Sequence, residues 1–93
     1  MRIVFSKNAV KFLEKLTEKE KGRVREKVNS LVTSIEREGF IPFRELNIRK
    51  LEGEWEGFLR MRLGKIRIVF KIERVTNELQ VYEIDFRGNI YKQ

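Results

Sequence analysis

The chain has 93 residues, with 21 Lys and Arg against 14 Asp and Glu, a formal charge of +7, and neither Cys nor His. One domain over residues 1–93 with one modest core is the expectation; disulfides, zinc–thiolate sites and imidazole proton transfer are excluded, and no apolar run approaches the ~20 residues of a membrane span. The charge balance and a pI near 10.0 point to an anionic partner such as RNA, DNA, an acidic protein or a membrane surface.

Arg2 to Phe5 reads as a short strand. Ser6 can cap a helix that starts near Lys7. Val10, Leu13 and Leu16, flanked by Phe12, give that helix an apolar stripe. Thr17-Glu18-Lys19-Glu20 fits a capping box and opens a second helix, in which Val24, Val28, Leu31, Val32 and Ile35 recur with a 3.6-residue period. Gly39 stands where a left-handed C-terminal cap belongs, and Pro42 follows. So short a connection makes the two helices an antiparallel hairpin.

From Phe43 onward the helical period is lost. Leu51 to Trp55 reads as a strand lead-in, with Gly53 and Gly57 allowing bends. Leu59–Leu63, Ile66–Glu73 and Leu79–Phe86 read as strands joined by turns at Gly64-Lys65 and at 75–78, an antiparallel meander. The predicted class is α+β: an N-terminal strand, then an antiparallel helical hairpin packed on one face of a twisted, mainly antiparallel sheet. The other face is expected to stay open.

That open face is where the chemistry collects. In Leu59-Arg60-Met61-Arg62-Leu63 apolar and cationic residues alternate strictly. A strand sends the three apolar side chains into the core and leaves Arg60 and Arg62 about 7 Å apart on the other face. Arg67 follows the Gly64-Lys65 turn. Guanidinium forks match phosphate oxygens and keep their charge. Cleaving RNA without a metal requires a base for the ribose 2′-hydroxyl, a cation for the phosphorane and an acid for the departing 5′-oxygen. Arginine suits the second role and is too weakly acidic to serve as base. Tyr91 can act as acid, as base or as a stacking ring, and Lys50 or Lys65 can act as base if desolvated. Each residue also has a plainer reading. Arg60 and Arg62 can be solvated strand residues paired with Glu54, Glu56 or Glu83, and Arg67 an exposed charge near a turn. Arg87 and Tyr91 can be a frayed terminus, and Trp55 a core or lid aromatic. The 38% of charged residues also fits the ion-pair-rich surface of a thermophile.

Lys50-Leu51-Glu52-Gly53, Phe58-Leu59-Arg60-Met61-Arg62-Leu63-Gly64 and Ile66-Arg67-Ile68-Val69-Phe70 together resemble the central signature of the RelE/ParE toxin superfamily. The closing Phe86-Arg87-Gly88-Asn89-Ile90-Tyr91-Lys92 resembles the end of archaeal RelE-type toxins. The resemblance spans nearly the whole chain. It implies the toxin of a type II toxin–antitoxin system, an endoribonuclease that cuts messenger RNA in the ribosomal A site and is neutralised by a cognate antitoxin. It implies catalytic roles for Arg60, Arg62, Arg67, Arg87 and Tyr91, with Lys50, Lys65 and Lys71 binding RNA. Ribosome and messenger would then be partners, with no metal or organic cofactor, no membrane contact and a cytoplasmic location. Arg60 and Arg62 stand where bacterial RelE-type members often carry Lys. Two further readings share the fold: a ParE-like DNA gyrase inhibitor, and a basic RNA-binding relative without catalysis.

Overall fold

The computed structural model describes residues 1–86. The first strand, β1 (Arg2–Phe5), stops at Ser6, whose hydroxyl accepts a hydrogen bond from the Ala9 amide at 3.1 Å and so caps α1 (Lys7–Glu14). The face that α1 buries carries Ala9, Phe12 and Leu13, spaced i, i+3 and i+4, and Leu16 packs on the same core just beyond the helix end. Val10, expected on this stripe, lies about 100° round the helix from Ala9 and is 42% exposed.

The capping box forms as expected. Thr17 Oγ1 accepts from the Glu20 amide at 3.1 Å, and Glu20 Oε1 accepts from the Thr17 amide at 2.9 Å. It opens α2 (Glu18–Glu38), which buries Val24, Val28, Leu31 and Ile35. Gly39, at φ 77°, closes the helix by donating its amide to the Ile35 carbonyl.

Among the described residues five strands form one sheet in the order β1-β5-β4-β3-β2, with β2 at Ile48–Lys50, β3 at Leu59–Leu63, β4 at Ile66–Glu73 and β5 at Glu78–Phe86. The β2–β3, β3–β4 and β4–β5 pairings are antiparallel, and β1 runs parallel to β5. The strand expected over Leu51 to Trp55 sits instead at Ile48–Lys50. Asn47, at φ 54°, turns the chain so that Ile48 enters the core opposite Met61. Gly53, at φ 66°, then curls the following residues into a short 3₁₀ turn at Gly53–Trp55. The Leu51 amide donates to the Phe58 carbonyl at 3.0 Å and closes this segment back onto β3.

Register separates the two sheet faces. Ile48, Met61, Ile68 and Ile84 lie in one row across the sheet and belong to the core under the helices, as do Leu59, Phe70 and Val81. On the other face the rows read Arg49–Arg60–Val69–Glu83 and Arg62–Arg67–Asp85. Val69 is fully buried, yet it is not part of the core cluster. In β5, Tyr82 is an extra residue: Val69 pairs with Glu83 and Phe70 with Val81, which makes a β-bulge. No helix among the described residues is long and apolar enough to cross a membrane.

Candidate active site

Strand alternation brings Arg60, Arg62 and Arg67 onto one face, and register sets Arg62 directly across from Arg67. The β2 segment and the turn after it then roof this face. The result is a cleft of about 290 Å³ whose floor holds Arg60, Arg62, Arg67 and Val69. Arg49, Lys50, Leu51, Glu52 and Trp55 form its walls. Five of these nine residues are cationic and one is acidic, so the cleft concentrates positive charge in one concave place.

The face is less open than the alternation pattern suggested. Arg60 is only 3% exposed and Arg67 only 2%, while Arg62 is half-buried. For Arg67 this excludes the exposed charge near a turn. Arg60 donates from its guanidinium to the Asn47 carbonyl at 3.0 Å, and the same carbonyl receives the Arg62 amide at 3.3 Å. The left-handed conformation of Asn47, which asparagine tolerates better than most residues, aims that carbonyl at the strand. Arg67 lies across from Asp85 of β5, whose carboxylate accepts the Phe86 amide at 2.7 Å. Arg62 Nε is buried with no hydrogen-bond partner among the described residues. A donor in that state favours an incoming anionic oxygen.

The remaining expected site residues divide. Lys50 joins the arginines in the cleft wall. Lys71 is on the same sheet face but outside the cleft, with its Nζ 5.9 Å from the Phe58 ring centroid and 4.0 Å from Glu73. Lys65 sits apart, at the β3–β4 turn, in a depression shared with Glu20 and Arg23 of α2. Arg87 and Tyr91 lie outside the described residues. Two cleft residues went unread in the sequence. Arg49 belongs to a three-residue strand too short to show alternation, and its place beside Arg60 depends on the β2–β3 register. Glu52 enters only as part of the Lys50-Leu51-Glu52-Gly53 motif, with no role of its own, and the turn after β2 carries it to the cleft. Among the described residues no cluster of three or more Asp and Glu could hold a metal ion.

The sequence matches no protein-family model and no curated protein. The fold, by contrast, has solved counterparts. An archaeal RelE–RelB complex from Pyrococcus horikoshii superposes with a TM-score of 0.72 at 25% identity, over 95% of this chain and 96% of that one. A YoeB/ParE toxin from Agrobacterium tumefaciens gives 0.68 at 22% identity, over 94% and 99%. The intact RelBE toxin–antitoxin complex of E. coli gives 0.70 at 17% identity, over 95% and 98%. The chain therefore has the fold of the RelE/ParE toxins. Among these counterparts, the archaeal one was solved as a complex of RelE with RelB, and that of E. coli as an intact toxin–antitoxin complex.

Proposed function

We propose that this protein is the toxin of a type II toxin–antitoxin pair and acts in the cytoplasm as an endoribonuclease on messenger RNA in the ribosomal A site. The observation that carries this reading is the convergence of Arg60, Arg62 and Arg67 beneath a roofed cationic cleft. The RelE-type fold and the antitoxin-bound state of its counterparts support it.

The chemistry follows from the groups present. A base removes the ribose 2′-proton, the 2′-oxygen attacks phosphorus, and the P–O5′ bond breaks as the 5′-oxygen gains a proton. The products are a 2′,3′-cyclic phosphate and a 5′-hydroxyl. Arg62 and Arg67 stabilise the negative charge that grows on the phosphorane, and Arg60 ties the strand of Arg62 to the Asn47 carbonyl. Glu52 is the cleft carboxylate placed to accept the 2′-proton, Lys50 is exposed, so the desolvation a lysine base needs is not met, and Tyr91 is assigned to deliver a proton to the leaving oxygen. The partner is a cognate antitoxin that covers this basic surface.

Expression without an antitoxin tests the reading. Translation is expected to stop, with cuts inside ribosome-bound codons that end in cyclic phosphate. Arg67→Ala should lower the single-turnover rate by about 10²–10³-fold. Intact messenger with arrested replication would instead select the gyrase reading.

A further inference from the structure

Three aromatic side chains stand beside the arginine cleft, and none belongs to the core cluster. Trp55 and Phe58 pack edge-to-face with centroids 5.3 Å apart at 87°. Phe58 and Tyr82 do the same at 4.7 Å and 83°. Phe58 precedes β3 and Tyr82 lies on β5, so the two rings meet across β4. The bulge at Tyr82 makes this possible by adding a residue to the strand at that level. Tyr82 is 43% exposed, and Trp55 is half-buried in the wall of the cleft itself.

This arrangement exceeds what a clamp for the roof turn requires. In an edge-to-face pair, the ring that presents its edge keeps both flat faces clear of its partner. A ring that served only as a clamp would be buried, whereas Tyr82 is among the more exposed large side chains of the described protein. The Lys71 ammonium near the Phe58 ring adds a cation beside the cluster. Phe58 lies two residues along the strand from Arg60, about 7 Å, so a phosphate in the cleft would have its neighbouring nucleotide at the level of the rings. A cationic groove beside exposed aromatic rings is the arrangement that holds single-stranded nucleic acid without reading its sequence.

We propose that Trp55 and Tyr82 form a stacking shelf for unpaired RNA bases that flank the phosphate held by the arginine cleft. This inference rests on the cleft binding a phosphodiester, as assigned above. The shelf would splay the strand and fix the position of the backbone over Arg62, so its residues position the substrate and take no part in bond breaking.

Trp55 is the only tryptophan of the chain, so its fluorescence reports the shelf directly. The protein is titrated with a 2′-O-methyl oligoribonucleotide, which cannot be cleaved, and with an abasic oligomer of equal length. The base-bearing strand should quench the emission and bind more tightly. Binding by every variant is followed by the anisotropy of an end-labelled strand, which needs no tryptophan. Trp55→Ala and Tyr82→Ala should each weaken binding of the base-bearing strand about 5- to 150-fold while leaving the abasic strand within about twofold. Trp55→Phe, which keeps a ring, should recover most of the affinity and shows that the alanine effect is not loss of folding. Equal affinity for the two strands, or alanine variants that bind both as the parent does, would overturn the shelf while leaving the cleft in place, provided Arg62→Ala still weakens both. Failure of the parent protein to bind either strand would overturn the cleft and the shelf together.

Discussion

At the scale of single residues, the two arginines of β3 have different tasks although the sequence presents them as a pair. Arg60 is almost fully buried and bonded to the Asn47 carbonyl. Truncating it leaves a cavity and takes one donor from a part-buried carbonyl, and such losses destabilise by roughly 2 kcal/mol. Arg62 is half-buried, with its Nε aimed away from any described acceptor. Arg60→Ala should therefore lower the melting temperature by several degrees, measured by circular dichroism. Arg62→Ala should leave it within a degree or two, yet reduce RNA cleavage by about 10²-fold. Equal melting temperatures for the two variants would show that the Asn47 bond contributes nothing to the roof. The alternation 59–63 made the shared face of these residues readable, since strand geometry fixes it locally. Their burial was not readable, because it depends on a roof contributed by residues 47–58. The dull alternative of two solvated strand cations fails for Arg60 on exposure alone.

At the scale of elements, what local chemistry determines was legible and what pairing determines was not. Ser6, the Thr17–Glu20 box and Gly39 set both helices through bonds within a turn, and the structure has them there. The short β2 and the parallel β1–β5 pair depend on contacts between distant residues, so no local pattern announces them. The β1–β5 pair also carries a titrating clamp. The Glu78 carboxylate accepts from the Arg2 guanidinium, from Gln80 Nε2 at 2.9 Å and from Thr76 Oγ1 at 3.2 Å. Arg2 first, then Gln80, hold its carboxyl below the usual value of 4.5, against the opposing effect of burial. A carboxyl whose folded pKa is depressed contributes stability that is complete above its unfolded pKa and is lost as pH falls through the folded value. Thermal melts from pH 7 to pH 3 should thus show the parent losing stability below about 4.5 more steeply than Glu78→Gln. At pH 7 the variant should melt lower. Parallel acid limbs for the two proteins would remove Glu78 from the account.

At the scale of the whole molecule, the excess of seven positive charges sets how the protein meets a polyanion. Each phosphate that the cleft neutralises releases condensed counterions, and for a single strand the slope of log K against log salt is about −0.7 per contact. Arg49, Lys50 and Arg62 are the more accessible cations of the cleft. Three contacts correspond to a slope of about −2, and Arg49→Ala should flatten it by about 0.7. A flat salt response would mean that binding, if present, is not to the phosphate chain. Arg49 is the informative choice because only the β2–β3 register, and no motif, connects it with the others.

The parallel pairing of β1 with β5 has a consequence for synthesis. Arg2 finds its partner in Glu78, and Phe5 in Val81. A growing polypeptide emits β1 about seventy residues before its hydrogen-bonding neighbour, so closure of this edge waits until β5 has left the ribosome. A nascent fragment abandoned before that point carries the guanidinium groups of residues 60, 62 and 67 but not the completed scaffold that aligns them. Fragments released by interrupted translation would then lack the aligned cations, and the cleft would exist only in chains that include β5.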